Sequence, residues 1–124
     1  MTLLWVMIAG GLGSGSRYLI GRWALTAFGA AFPYGTLIVN LAGCFALGVV
    51  AQLASTGVMN PELRTAIAVG FIGGFTTYSS FNQETIGLFS SGALGAAAGN
   101  IAITLAGGLA AGALGVTAGR LLTS

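Results

Sequence analysis

The chain has no histidine, no aspartate and no lysine, and Cys44 is its only cysteine. Without His and Asp there is no Ser-His-Asp arrangement and no His/Cys cluster of the kind that holds zinc. A lone cysteine excludes an internal disulfide. The entire charge resides in Glu62, Glu84, Arg17, Arg22, Arg64 and Arg120, a net +2 with no basic run that could follow a nucleic acid. These absences exclude most hydrolytic and metal-dependent enzymology, and the chain does not read as an enzyme.

What is present is apolar. Of 124 residues, 56% are hydrophobic and 5% charged, against roughly 25% charged in a soluble domain. A bilayer core takes about 20 helical residues to cross, so the length admits four or five passes at most. It reads as one domain, residues 1–124, of four transmembrane helices. The opening MTLLWVMIAGGLGSGS lacks the basic n-region of a signal peptide and reads as a retained first helix.

Punctuation sets the passes at about Leu3 to Phe28, Pro33 to Ser55, Pro61 to Phe89 and Ala93 to Leu122. Pro33 suits the first position of the second helix. Asn60 is a candidate N-cap for the third, with Pro61 in its first position and Glu62 complementing the helix dipole. Cys44, inside the second pass, reads as a small buried hydrophobe. Four passes put both termini and the 2–3 loop on one side; Arg64 and Arg120 belong there, and Arg17 and Arg22 lean to the other. Orientation follows the Lys/Arg bias, so two against two predicts insertion both ways up, with a weak tilt from Arg22 or the N-terminus as the competing reading.

Twenty-two glycines would weaken soluble helices but let helix backbones approach closely in lipid. Gly11 and Gly15, Gly70 and Gly74, Gly95 and Gly99, Gly108 and Gly112, and Gly115 and Gly119 are all small-xxx-small pairs. Together they predict tight packing and an oligomer, with packing inside one bundle as the alternative.

The stretch GFIGGFTTYSSFNQET, residues 70–85, concentrates the unusual chemistry. Glycines 70, 73 and 74 followed by Thr76 and Thr77 predict a helix break, a kinked continuous helix being the alternative. Non-helical backbone at membrane depth survives only in protein or beside a polar cavity. Its freed carbonyls can coordinate a cation, and the next half-helix offers a positive N-terminus. Beyond the break Tyr78 and Phe81 share one helical face, and Thr77, Ser80 and Glu84 a neighbouring one. Electropositive ring edges and hydroxyl donors in a row can replace the water around a small anion; plain packing is the other reading of the rings. Asn40, Asn100 and Thr104 add polar atoms, to the same interior or as interhelical glue. Glu84, an ionisable group in a pass, points to function by default, or to an acid snorkelling at the interface near the helix end.

GFIGGFTTYSSF resembles the signature of the small bacterial fluoride channels, the Fluc or CrcB family. GTLIVNLAG at 35–43 resembles that family's second-helix motif, and GSGSRYLIG its first helix. The likeness covers essentially the whole chain. It implies an all-α membrane protein of four transmembrane helices with the third broken near its middle, assembled as an antiparallel dual-topology homodimer with two fluoride pores. Its implied place is the bacterial plasma (inner) membrane, and its partners are fluoride, a second copy and lipid, with no nucleic acid and no other protein. By position, Tyr78 and Phe81 would be pore aromatics, Ser79 and Ser80 their hydroxyl partners, Asn40 the pore amide and Thr104 part of a fourth-helix polar track. Glu84 would be the acid near a pore end and Arg17 would line an aqueous vestibule. Backbone carbonyls of Gly73 and Thr76 would hold a structural Na+ at the dimer centre. Tyr78 stands where phenylalanine is commoner and Gly108 where serine is frequent, so the polar track is expected to be shorter; Asn82 and Gln83 have no assigned role.

The implied activity is passive export: fluoride that enters as neutral HF ionises inside, and an interior-negative potential drives one charge outward with about 2.3 kcal/mol per 100 mV. The rival is a small dual-topology multidrug exporter, which needs a deep carboxylate facing a roomy aromatic pocket, whereas Glu84 is peripheral in sequence. A non-transporting scaffold subunit would leave Asn40, Tyr78 and Phe81 without a purpose. Proton-coupled drug uptake in vesicles separates the exporter from the channel: the channel reading predicts none.

Overall fold

Pro33 stands between passes and Pro61 at the first position of the third, so neither interrupts the three long apolar helices. A computed structural model describes residues 1–124 and contains α1 (Thr2–Phe28), α2 (Tyr34–Ser55) and α6 (Leu94–Thr123). Each is long and apolar enough to cross a membrane. The remaining pass is built in pieces: α3 (Pro61–Thr65), a π-helical segment (Ala66–Ile72), α4 (Gly73–Phe75) and α5 (Tyr78–Ser90). Between α4 and α5 the backbone is extended, with ψ 159 at Thr76 and φ −152, ψ 114 at Thr77. The molecule is therefore all-α, with four helical passes of which the third is bent.

Local chemistry accounts for the ends. Leu63 N–H donates to Asn60 Oδ1 at 2.8 Å, so Asn60 caps α3 with Pro61 at its first turn. Pro33 lies just outside α2, as the residue before its first helical position. After α5 the chain reverses at Gly92 (φ 82), where a left-handed residue lets Ala93 N–H reach Leu88 C=O at 2.9 Å. The Thr2 hydroxyl donates to Glu62 Oε1 at 3.2 Å, which puts the N-terminus and the 2–3 turn on the same side. At the opposite end Trp23, Phe28, Phe32 and Tyr34 form a cluster of one T-shaped and two tilted ring pairs with centroids 5.0–5.6 Å apart, the chemistry of a membrane–water interface.

Glycines decide which helices touch. The main interface joins α2 to α6; there a Cβ on Gly115 would strike the Phe45 carbonyl, and one on Gly48 the Gly112 carbonyl. Along α1 and the third pass, a Cβ on Gly13 would meet the Phe71 carbonyl, one on Gly74 the Gly10 carbonyl, and one on Gly70 the Val6 carbonyl at 2.9 Å. This backbone contact explains why the helix runs on through Gly70, Gly73 and Gly74 and breaks only at the two threonines beyond them. Gly11, Gly15, Gly95 and Gly99 face open space within the chain. Only 15 of 124 residues are buried, so most apolar side chains must meet lipid or another chain.

Gly115→Leu is predicted to force α2 and α6 apart at a cost of about 1–3 kcal/mol or more, because the obstacle is backbone. Gly95→Ala, which meets nothing within 4 Å, should leave the chain's own packing intact. Thermal unfolding in detergent checks both: the first should melt well below wild type and the second at or above it.

Candidate functional site

In an unbroken helix Thr77 N–H would donate to the Gly73 carbonyl and Ser80 N–H to the Thr76 carbonyl. Neither bond forms. Thr77 N–H instead donates to Asn40 Oδ1 at 2.7 Å, and Asn40 Nδ2 donates to the Thr77 carbonyl at 3.0 Å. The carboxamide of Asn40 thus stands in for a neighbouring peptide group. The Thr77 hydroxyl accepts Ser80 N–H at 3.2 Å and caps α5, while Thr76 Oγ1 donates back to the Ile72 carbonyl at 2.9 Å. Every polar group of Thr77 is paired, which is what lets an extended residue persist where water is scarce. Four carbonyls, those of Gly73, Gly74, Phe75 and Thr76, lose their helical donors by this arrangement, and that of Gly74 accepts the Ser14 hydroxyl at 3.4 Å instead.

The break separates two unlike surroundings. On one side a cavity of about 280 Å³ lies between α2, α5 and α6, and its walls include Asn40, Cys44, Thr77, Tyr78, Phe81 and Thr104. The Tyr78 and Phe81 rings are 5.9 Å apart at 53°. Phe81 is buried at 9% exposure, whereas Tyr78 is 78% exposed. Cys44 is a wall of this cavity and only partly buried, a different environment from the sealed one its apolar neighbours predict. Its sulfur lies 3.5 Å from the Cβ position of Gly108, and Thr104 is the α6 hydroxyl in the wall of this cavity.

On the other side a second cavity, also about 280 Å³, is lined by Ser14, Arg17, Thr36, Thr77 and Ser80 among others. The Thr77 hydroxyl donates to Ser80 Oγ at 3.1 Å, which leaves the proton of Ser80 itself free to donate. Ser79, exposed on the outer face, comes within 3.4 Å of the Thr77 hydroxyl. A third cavity of about 390 Å³ reaches the α1–α2 turn and has Thr36 and Glu84 in its walls. Thr36 Oγ1 donates to Glu84 Oε1 at 2.8 Å, and Oε2 is sealed from solvent with no partner. Glu84 is thus held against α2 and does not snorkel. Thr77 belongs to the first two cavities and Thr36 to the last two, so the three form a row with shared walls.

Of the residues singled out by sequence, Asn40, Tyr78, Phe81 and Thr104 meet around one cavity, and Arg17 and Ser80 around the next, with Glu84 beyond. Thr36 is a residue that sequence reasoning missed. Its signal was available, since it lies four residues before Asn40 and so on the same face of α2. Thr85 was also missed: it is buried, bonded to Asn100, and carries no motif position of its own.

A family profile described as "CrcB-like protein, Camphor Resistance (CrcB)" matches residues 4–116. The chain is 51% identical over 110 residues to a protein of Anaeromyxobacter dehalogenans named "Fluoride-specific ion channel FluC", covering 88% of this chain and 87% of that one. Proteins of the same name from Sorangium cellulosum and Chloroflexus aurantiacus are 46% and 40% identical over 119 residues, each match covering 95% of this chain and 94% of the relative.

Asn40→Leu would leave the Thr77 N–H and C=O without partners, at about 1–3 kcal/mol for each buried group. It is predicted to lower the detergent melting temperature more than Thr77→Ser, which keeps the cap. Equal melting of the two variants would show that Asn40 does not hold the break.

Proposed function

The chain belongs to the CrcB-like family, and from that premise we propose how it works. It is a fluoride-selective channel of the inner membrane, a multi-pass protein and not an enzyme, that lets cytoplasmic fluoride leave down its electrochemical gradient. The observation that carries the mechanism is the pair of unlike cavities either side of Thr77. Arg17 gathers anions in the polar cavity by its charge, and Ser80 offers a free hydroxyl proton. Past Thr77, the edges of Phe81 and Tyr78, the second N–H of Asn40 and the hydroxyl of Thr104 take the place of water. Fluoride, small and strongly hydrated, is compensated by such closely set donors; chloride, larger, must shed water without the same return. Glu84 accepts the Thr36 hydroxyl and fixes the polar end of the row.

The active unit in this proposal is an antiparallel dual-topology homodimer. Four features support it: the outward Tyr78 ring, the open glycine faces at 11, 15, 95 and 99, the small buried core and the balanced arginines. The carbonyls of Gly73 and Thr76, released from helical bonding, suit a hard cation, and two chains would contribute four such oxygens to a structural Na+. That ion would supply a fixed positive charge between the two breaks. The multidrug-exporter alternative is not favoured, because Glu84 is engaged by Thr36 at one end of the row and does not face the aromatic cavity.

Purified protein in liposomes should release fluoride rapidly and electrogenically, and chloride negligibly. Phe81→Ile should abolish fluoride release while leaving elution in detergent unchanged; undiminished flux in that variant would remove Phe81 from the path.

A further inference from the structure

Asn100 is 1% exposed in the second turn of α6, an apolar helix, and its burial is costly unless its amide is used. Its Nδ2 donates to Thr85 Oγ1 at 3.0 Å, and its Oδ1 accepts the hydroxyl of Thr104 at 3.4 Å. Thr85, 7% exposed, passes its own proton to the Phe81 carbonyl at 2.6 Å. A directed chain therefore runs from Thr104, a wall of the aromatic cavity, through Asn100 and Thr85 to the backbone that carries the Phe81 ring.

Serine and threonine hydroxyls commonly bond the carbonyl one turn back, and such bonds bend helices slightly. Ser16, Thr26, Thr65, Thr76, Thr117 and Thr123 all do so here. Thr85 differs from every one of them in also accepting a bond from another helix. The contact matters because α5 and α6 otherwise meet sparingly beyond the short turn that joins them, while α6 is anchored on α2 by glycine. Asn100 is the buried polar tie between the anchored helix and the one that bears the aromatic rings.

We propose that Asn100 is a positioning residue for fluoride permeation: through the Thr85 hydroxyl it fixes the first turns of α5, and hence where the Phe81 ring edge lies in the cavity. The assignment rests on the channel reading above. Asn100 itself does not line the cavity with Phe81 and need not touch the ion. Thr104 joins the same network from the cavity side, so its proton is held by Asn100 until an anion competes for it.

The test uses the full chain in proteoliposomes, with fluoride release read by electrode and elution in detergent as the folding control. Thr85→Val keeps the side-chain shape and removes both bonds. It should slow release about ten-fold or more, because the buried Asn100 amide loses its partner and α5 its polar tie to α6. Thr85→Ser, which keeps the hydroxyl, should stay near wild type, and so should Thr117→Val, which loses a one-turn-back bond with no interhelical partner. Asn100→Leu should slow release as Thr85→Val does, and the double variant no further than the slower single one. If Asn100→Leu elutes abnormally, Asn100→Gln takes its place, with slowed release again expected. Wild-type rates in Thr85→Val, equal losses in Thr85→Ser and Thr85→Val, or multiplicative losses in the double variant would each overturn the proposal. A wild-type protein that releases no fluoride would instead overturn the channel reading itself.

Discussion

The paired hydrogen bonds between Asn40 and Thr77 are the constraint on which the rest of the site depends. A helix can be interrupted inside a membrane only if the interrupted groups find other partners, and the Asn40 carboxamide supplies both a donor and an acceptor to one residue. Because Thr77 is extended, α5 starts afresh with its own N-terminus, and Ser80, Phe81 and Glu84 are aimed from that new start. Because Thr77 N–H and Ser80 N–H are taken elsewhere, the carbonyls of Gly73 and Thr76 are released. One side-chain amide thus links the polar cavity, the aromatic cavity and the candidate cation ligands.

Glycine plays a different part from the one a helix-propensity argument gives it. Gly70 and Gly74 do not break the third pass; they let it lie backbone against backbone on α1 and so carry the threonines to Asn40 at a fixed depth. Gly48 and Gly115 do the same for α2 and α6. The chain spends its close contacts on these seams and leaves little interior elsewhere, which suits a protein whose remaining faces meet lipid or a copy of itself.

The passes were legible because their signals are physical and local: apolar length, prolines at the starts of helices, Asn60 before Pro61. Each helix end lies within one or two residues of where those signals put it. The break was legible as a region but not as a residue, since its position is fixed by α1 packing and by Asn40, both distant in sequence. Tyr78 and Phe81 on one face, and Ser80 and Glu84 on another, follow from helical spacing alone. What spacing could not give is partnership. That Thr36 holds Glu84, that Asn40 holds Thr77 and that Asn100 reaches Phe81 through Thr85 are contacts between passes, 48, 37 and 15 residues apart along the chain for the first bonds concerned. Asn40 could be read as a polar residue in the interior, but not as the partner of a backbone.

The most direct measurement of this account is amide hydrogen exchange at Thr77, resolved by NMR on protein in a lipid nanodisc. A joint locked by Asn40 predicts protection of the Thr77 N–H comparable to that of amides in the interior of α5. Exchange at the rate of the exposed 2–3 turn would contradict it, and with it the origin proposed for both walls of the site.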